Sequence, residues 1–256
     1  ARLFRQTDKR QVRDHFHAHN RNIRDGGFDD DDIRVLPFTS ADGEETASLV
    51  VRYRGNGSAN AAPILLTAHM DVVDALREDW ERDPFTLIEE DGYFFGRGTA
   101  DDKLGTTVLT AMFLRLKDEG FTPTRDVIIA FSGDEETSMA TIEDLVTTHR
   151  ALVDAEFALN ADAGGGALDS DYQPVADQVQ AAEQTYVDLD LVVRNPGGHS
   201  SRPTAKNAIY DLAAALTKVE AYQFPVQYND ITQRYFAMRA ESETGGWPAR
   251  CPKAAR

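Results

Sequence analysis

Residues 103–132, KLGTTVLTAMFLRLKDEGFTPTRDVIIAFS, decide the fold class of this chain. Leu104, Val108, Leu109, Met112, Phe113 and Leu116 recur at the spacing of one helical face, so a helix is predicted over 103–118 with those side chains buried. Gly120 can adopt the left-handed backbone that ends many helices. The segment 126–132 (DVIIAFS) then reads as a buried strand. Working outward, 46–54 (TASLVVRYR), 63–68 (PILLTA) and 156–160 (EFALN) are further strands, and 141–152 is a second helix. Strands alternating with helices of this length predict an α/β fold, a mainly parallel sheet sandwiched by helices.

The flanks carry weaker signals. Residues 6–24 are polar and hold few periodic apolar positions, so they predict a helix only weakly. His15, His17 and His19 within them read as surface residues rather than a metal site. Asp29–Asp32 reads as a solvated loop, and Tyr93, Phe94 and Phe95 as core packing ahead of a glycine turn. Past residue 183 the pattern changes. In 184–194 (QTYVDLDLVVR), Val187, Leu189, Leu191 and Val193 alternate with a more polar set, which predicts a strand with one buried face. A helix over 204–221 would bury Ile209, Leu212, Ala213, Leu216 and Val219. The Gly/Ala/Asp-rich stretch 161–183 is the natural boundary, giving domains 1–181 and 182–256.

Composition narrows the function. Of 256 residues, 27% are charged and 41% hydrophobic, a globular balance. A formal charge of −16 repels phosphate backbones and argues against nucleic-acid partners. The single cysteine, Cys251, rules out an internal disulfide and a thiolate zinc cage. No apolar run reaches the roughly 18 residues of a membrane span, so no membrane partner is expected. The N-terminus lacks a signal-peptide core and an initiating Met. The compartment therefore stays open between the cytoplasm and a secretory route with a removed leader. Asp outnumbers Glu 28 to 15 and Arg outnumbers Lys 21 to 6; adaptation to high salt and a GC-rich genome account for this equally well.

Four segments set metal-ligand residue types where strands end, the edge at which open α/β sheets bind ligands. His69 and Asp71 follow the strand 63–68 on one side of the backbone, the spacing of a ligand and the acid that orients it. Gly96–Lys103 (GRGTADDK) places Asp101 and Asp102 at a helix start, where either could cap the helix. Ser132–Glu136 (SGDEE) stacks three acids whose repulsion needs solvent or a cation to offset it. Asp162 follows the strand 156–160. Each segment alone has an ordinary structural explanation. Together they fit a binuclear hydrolytic site with nitrogen and oxygen ligands, suited to zinc and open to manganese or cobalt.

These segments, TAHMDVV, WERDPF, YFFGRGTADDK, FSGDEE, LNADAGG and GGHSSRP, closely resemble the di-zinc metallopeptidase family of aminoacylase, carboxypeptidase G and succinyl-diaminopimelate desuccinylase over residues 45–222. The resemblance implies that His69 and Asp162 bind one Zn2+, that Asp101 bridges two, and that Glu136 binds the second. It implies Asp71 as the residue orienting His69, Glu135 as general base, and a cis peptide at Asp101–Asp102. It also implies that residues 182–256 begin a smaller inserted α+β dimerisation domain. His199 would lie on that domain and reach the substrate in a partner's site, making the full-length protein a homodimer. Asn207 is a further candidate for substrate contact, or an ordinary helical asparagine. The function implied is metal-dependent hydrolysis of an amide bond in peptides or N-acyl amino acids. The alternatives are an inactive, truncated metal-binding or dimerisation module and an acidic interaction protein. The family pattern needs one more histidine downstream, yet none follows His199. The tail 245–256 (GGWPARCPKAAR) differs in composition from the rest. The expectation is a truncated chain whose second metal position keeps only Asp101 and Glu136.

Overall fold

The computed structural model describes residues 9–162, 165–183, 186–199, 201–202 and 204–242, with side chains described from Phe16 to Ala240. Residues 6–8, the side chain of His15, Gln184, Thr185, Ser200, Pro203 and the 245–256 tail with Cys251 lie outside that set. The chain divides into two compact units, residues 1–178 and 179–256.

The first unit is built on a five-stranded sheet. Its strands are β1 (Ile33–Thr39), β2 (Glu45–Tyr53), β3 (Ile64–His69), β6 (Val127–Ser132) and β7 (Phe157–Asn160), in the order β1-β2-β6-β3-β7. β3 runs parallel to both β6 and β7, whereas β2 runs antiparallel to β1 and β6. Four of the five strands therefore point the same way, and the carboxyl ends of β3, β6 and β7 meet at one edge. β1 is not among the strands read from the sequence; it contains Pro37, which an outermost strand tolerates because one of its edges needs no N–H donors.

Alternation along β2 and β6 sends side chains to two cores. Leu49, Val51, Tyr53, Ile129 and Phe131 pack with Phe16, Ile23, Phe28 and Phe113, which belong to or adjoin helices α1 (Lys9–Asp25) and α2 (Lys103–Asp118). Val50, Ile128 and Ala130 face Leu145 and Val153 of α3 (Ala140–Thr147) and α4 (Arg150–Val153). The sheet is thus sandwiched by helices, as the periodicity of 103–132 implies. Phe28, Tyr53 and Phe113 form an aromatic triad with centroids 5.2–5.8 Å apart.

Local readings need four corrections. The α2 face is rotated from the expected one: Leu104 and Val108 are exposed, and the small residues Gly105, Thr106 and Thr110 are buried with Phe113. Its end follows expectation, with Gly120 at φ +70°. There Phe121 N–H donates to Leu116 O (2.9 Å) and Gly120 N–H to Lys117 O (3.1 Å), a paired C-terminal cap. The polar 6–24 stretch holds α1, and its His19 is a core residue bonded to Thr110 rather than a surface one. Asp30–Asp32 forms a short 3-10 turn. Tyr93 and Phe94 are exposed on a small hairpin of β4 (Ile88–Glu90) and β5 (Tyr93–Phe95) rather than packed in the core. A second hairpin joins β8 (Gly165–Leu168) and β9 (Pro174–Gln178).

In the second unit, the described part of the alternating run 184–194 forms no strand, and Val187 and Leu189 are exposed. A strand needs a neighbour for its backbone groups, and no described segment pairs with this one. Two helices follow, α5 (Ala208–Ala221) and α6 (Asp230–Ser242). Ile209, Leu216 and Val219, the expected buried face of α5, are exposed.

Candidate metal centre

Parallel register sets the site. His69 ends β3 opposite Ser132 of β6, and Thr67 lies opposite Asn160 of β7. The chain leaving β6 carries Glu135 and Glu136, and the chain leaving β7 carries Asp162. His69, only 2% exposed, points its Nε2 at these acids. Nε2 lies 2.9 Å from Asp101 Oδ1, 3.8 Å from Asp162 Oδ1 and 3.9 Å from Glu135 Oε2. Two ligand-like groups share the imidazole, His69–Glu135–Asp162 and His69–Asp101–Glu136, each with its ligand atoms within 4.8 Å of one another.

The two aspartates of 101–102 divide the alternatives left by the sequence. Their peptide bond is cis. Asp102 is the helix cap: buried, it accepts Gly105 N–H through Oδ1 and His69 N–H through Oδ2, each at 3.1 Å. Asp101 is left free to face the imidazole. Gly105 is required here, because a Cβ would sit 2.2 Å from Asp102 Oδ1 and 2.9 Å from Ala161 Cβ. The link from Asp102 to the His69 backbone escaped sequence reasoning; adjacent acids at a helix start are its only signal.

Asp71 meets His69 in an unexpected way. His69 Nδ1 lies 3.0 Å from the backbone carbonyl of Asp71 and 3.5 Å from its carboxylate. The carboxylate instead accepts the N–H groups of Glu135 (3.0 Å) and Glu136 (2.9 Å).

The acids shift one another's protonation. Burial works against a charged His69, but the hydrogen bond and charge of Asp71, then the charges of Asp162 and Glu135, push its pKa up to about 10. Burial raises Asp102 to about 6, against the hydrogen bond from His69 and the His69 charge. Glu135 is raised by burial and by Asp162, Glu136 and Asp71, with His69 opposing. Glu136 is raised by burial and Asp101. Acids this crowded carry repulsion that a cation would relieve. The donor set, one imidazole amid carboxylates, fits a divalent ion.

Residues 65–242 match the sequence model of peptidase family M20/M25/M40. The chain belongs to this family. Among curated relatives of this M20-family chain, the Xenopus tropicalis N-fatty-acyl-amino acid synthase/hydrolase PM20D1 is 34% identical over 174 residues, covering 67% of this chain and 34% of that protein. A probable carboxypeptidase S-like 2 of Dictyostelium discoideum is 35% identical over 183 residues, covering 68% of this chain and 34% of that protein. The match thus spans about a third of each relative's length. Among solved structures, the di-peptidase Dug1p from Saccharomyces cerevisiae aligns with a TM-score of 0.54 at 21% identity, over 64% of this chain and 36% of that one. It supports the mixed, mainly parallel α/β sheet of the first unit.

Two expected site residues belong to the second unit. His199 is exposed, with Nδ1 2.8 Å from Ser201 Oγ. Asn207 caps α5, its side chain accepting Ile209 N–H at 2.9 Å, which accounts for it without a substrate. Among the described residues, no helix is long and apolar enough to cross a membrane.

Proposed function

We propose that the protein hydrolyses an amide bond in N-acyl amino acids or peptides. The supporting observation is the convergence of His69 Nε2 with acids that follow β6 and β7 and one that precedes α2, within 4.8 Å in each of two groups. His69 and Asp162 would hold one Zn2+, Glu136 a second, and Asp101 both; Mn2+ or Co2+ suits the same donors. Such ions supply Lewis acidity, which polarises a carbonyl and acidifies water. The chain's own residues do the rest. Glu135, less than a third exposed, takes a proton from the attacking water at Oε2 and returns it to the leaving nitrogen. Asp102 and Asp71 hold the His69 segment in place, so the imidazole does not reorganise during the reaction.

The substrate class follows the names of the relatives, which cover fatty-acyl amino acids and a carboxypeptidase-like protein. Residues 1–181 form the metal-binding catalytic part in this reading. Residues 182–256 begin a dimerisation domain whose His199 contacts substrate bound by a partner copy. Glu135→Ala tests the assignment: metal content stays at the wild-type level while turnover of N-acyl amino acids and dipeptides falls by about 10²–10⁴. Loss of metal along with turnover would make Glu135 a ligand instead, and retained turnover would remove it from the reaction.

A further inference from the structure

The turn after β6 carries both glutamates of the site, and two aspartates hold all of its backbone N–H groups from 135 to 141. The Asp71 carboxylate takes Glu135 and Glu136 N–H. The Asp134 carbonyl takes Thr137, Ser138 and Met139 N–H at 3.2, 3.1 and 2.9 Å. The Asp134 carboxylate takes Ala140 and Thr141 N–H at 2.9 and 3.1 Å, and the hydroxyls of Ser138 (2.6 Å) and Thr141. Both aspartates are buried, at 6% and 5% exposure. A buried carboxylate is stable only when such donors replace its water.

We propose that Asp71 is the positioning residue of the two glutamates: its carboxylate fixes the Glu135–Glu136 backbone while its main-chain carbonyl, 3.0 Å from His69 Nδ1, fixes the imidazole. One residue then sets the spacing between the histidine of β3 and both acids following β6. Asp134 anchors the far side of the same turn and leaves the Glu135 and Glu136 side chains pointing into the site. The inference rests on the proposed function only for what the positioned acids do; the anchoring itself is a matter of backbone hydrogen bonds.

The division of labour within Asp71 makes the test sharp. Asp71→Asn keeps the carbonyl but replaces one acceptor oxygen with an NH2 group, which cannot receive an N–H. Amide hydrogen exchange on uniformly 15N-labelled protein reads residues 135–141 directly, and the 15N shifts of His69 read its Nδ1–H bond. The expected result is exchange faster by about tenfold or more at whichever of Glu135 and Glu136 comes to face the NH2 group, the scale of one charge-assisted hydrogen bond. Thr137–Thr141 stay protected and the His69 tautomer is unchanged. Asp134→Asn gives the reverse pattern, releasing Ala140 or Thr141, whichever faces the NH2 group, and leaving Glu135 and Glu136 protected. Unchanged glutamate amides, or a His69 tautomer lost while those amides stay slow, would overturn the assignment. Should Asp71→Asn not fold, the wild type still decides: unprotected Glu135 and Glu136 amides contradict the proposal. Titration with Co2+ alone separates the two claims. A wild type that binds no Co2+ sinks the metal reading and leaves the anchoring to the exchange data. A wild type that binds Co2+ with Asp71→Asn equally tight, despite released amides, refutes the positioning role.

Discussion

Replacing Gly105 by alanine sets two physical effects against each other. Gly105 lies in the first turn of α2, and helix propensity alone favours alanine by up to about 1 kcal/mol. The local geometry opposes this. The new Cβ would lie 2.2 Å from Asp102 Oδ1, where ordinary contact begins at 3.4 Å, so the carboxylate must retreat by about 1.2 Å. The new Cβ cannot give way instead, since Ala161 Cβ stands 2.9 Å from it. Asp102 would then lose its bonds from Gly105 N–H and His69 N–H. Hydrogen bonds to a charged group contribute about 1.5–3 kcal/mol each, so the loss is about 3–6 kcal/mol. Subtracting the propensity gain leaves Gly105→Ala destabilised by about 2–5 kcal/mol. Urea denaturation of metal-free protein measures this as a lower midpoint at unchanged slope. Gly120→Ala is the control: nothing lies within 4 Å and only the φ of +70° is unfavourable, for a cost of about 1–2 kcal/mol. A Gly105→Ala variant as stable as wild type, or more so, would refute the claim that Asp102 is locked between α2 and the His69 backbone.

Other outcomes follow from the same structure. Burial lowers the pKa of His19 below its ordinary 6.5, so the unfolded chain binds the proton more tightly than the folded one. The stability this provides is full above pH 6.5 and is lost as pH falls towards the folded-state value; the melting temperature of His19→Gln should fall less steeply between pH 7 and pH 5 than that of wild type. Phe113→Ala removes a 1% exposed ring from the aromatic triad and should cost about 3–5 kcal/mol in urea titrations. Zn2+ at a hundredfold excess over its dissociation constant should add about 2.7 kcal/mol of stability, reversed by chelation; a thermal shift that persists in His69→Ala would place the ion elsewhere.

The sheet and the site were legible for the same reason. β3 and β6 are continuous apolar runs that end in His69 and in Asp134–Glu136, so the ligand types announce themselves where the strands stop. The helices were less so. α1 is polar overall, and its buried positions Phe16, His19 and Ile23 are too few to give a strong period. In α2, large apolar residues at 104 and 108 pulled the expected face around, while close approach to the sheet selects the smaller Gly105, Thr106 and Thr110. The alternation of 184–194 describes a side-chain pattern faithfully, but pairing depends on a neighbour, which a local pattern cannot supply. The Asp71 contacts were hidden because they join its carboxylate to main-chain amides 64 and 65 residues away.

The pairing of His69 with Ser132 and of Thr67 with Asn160 makes the centre a gauge of strand alignment. A slip of one residue between neighbouring strands turns side chains to the opposite face, and the imidazole would leave the acids entirely. A mispaired chain could keep its helices and much of its collapsed interior, yet hold no ion. Cation uptake during refolding would therefore count only correctly threaded molecules, something circular dichroism cannot do.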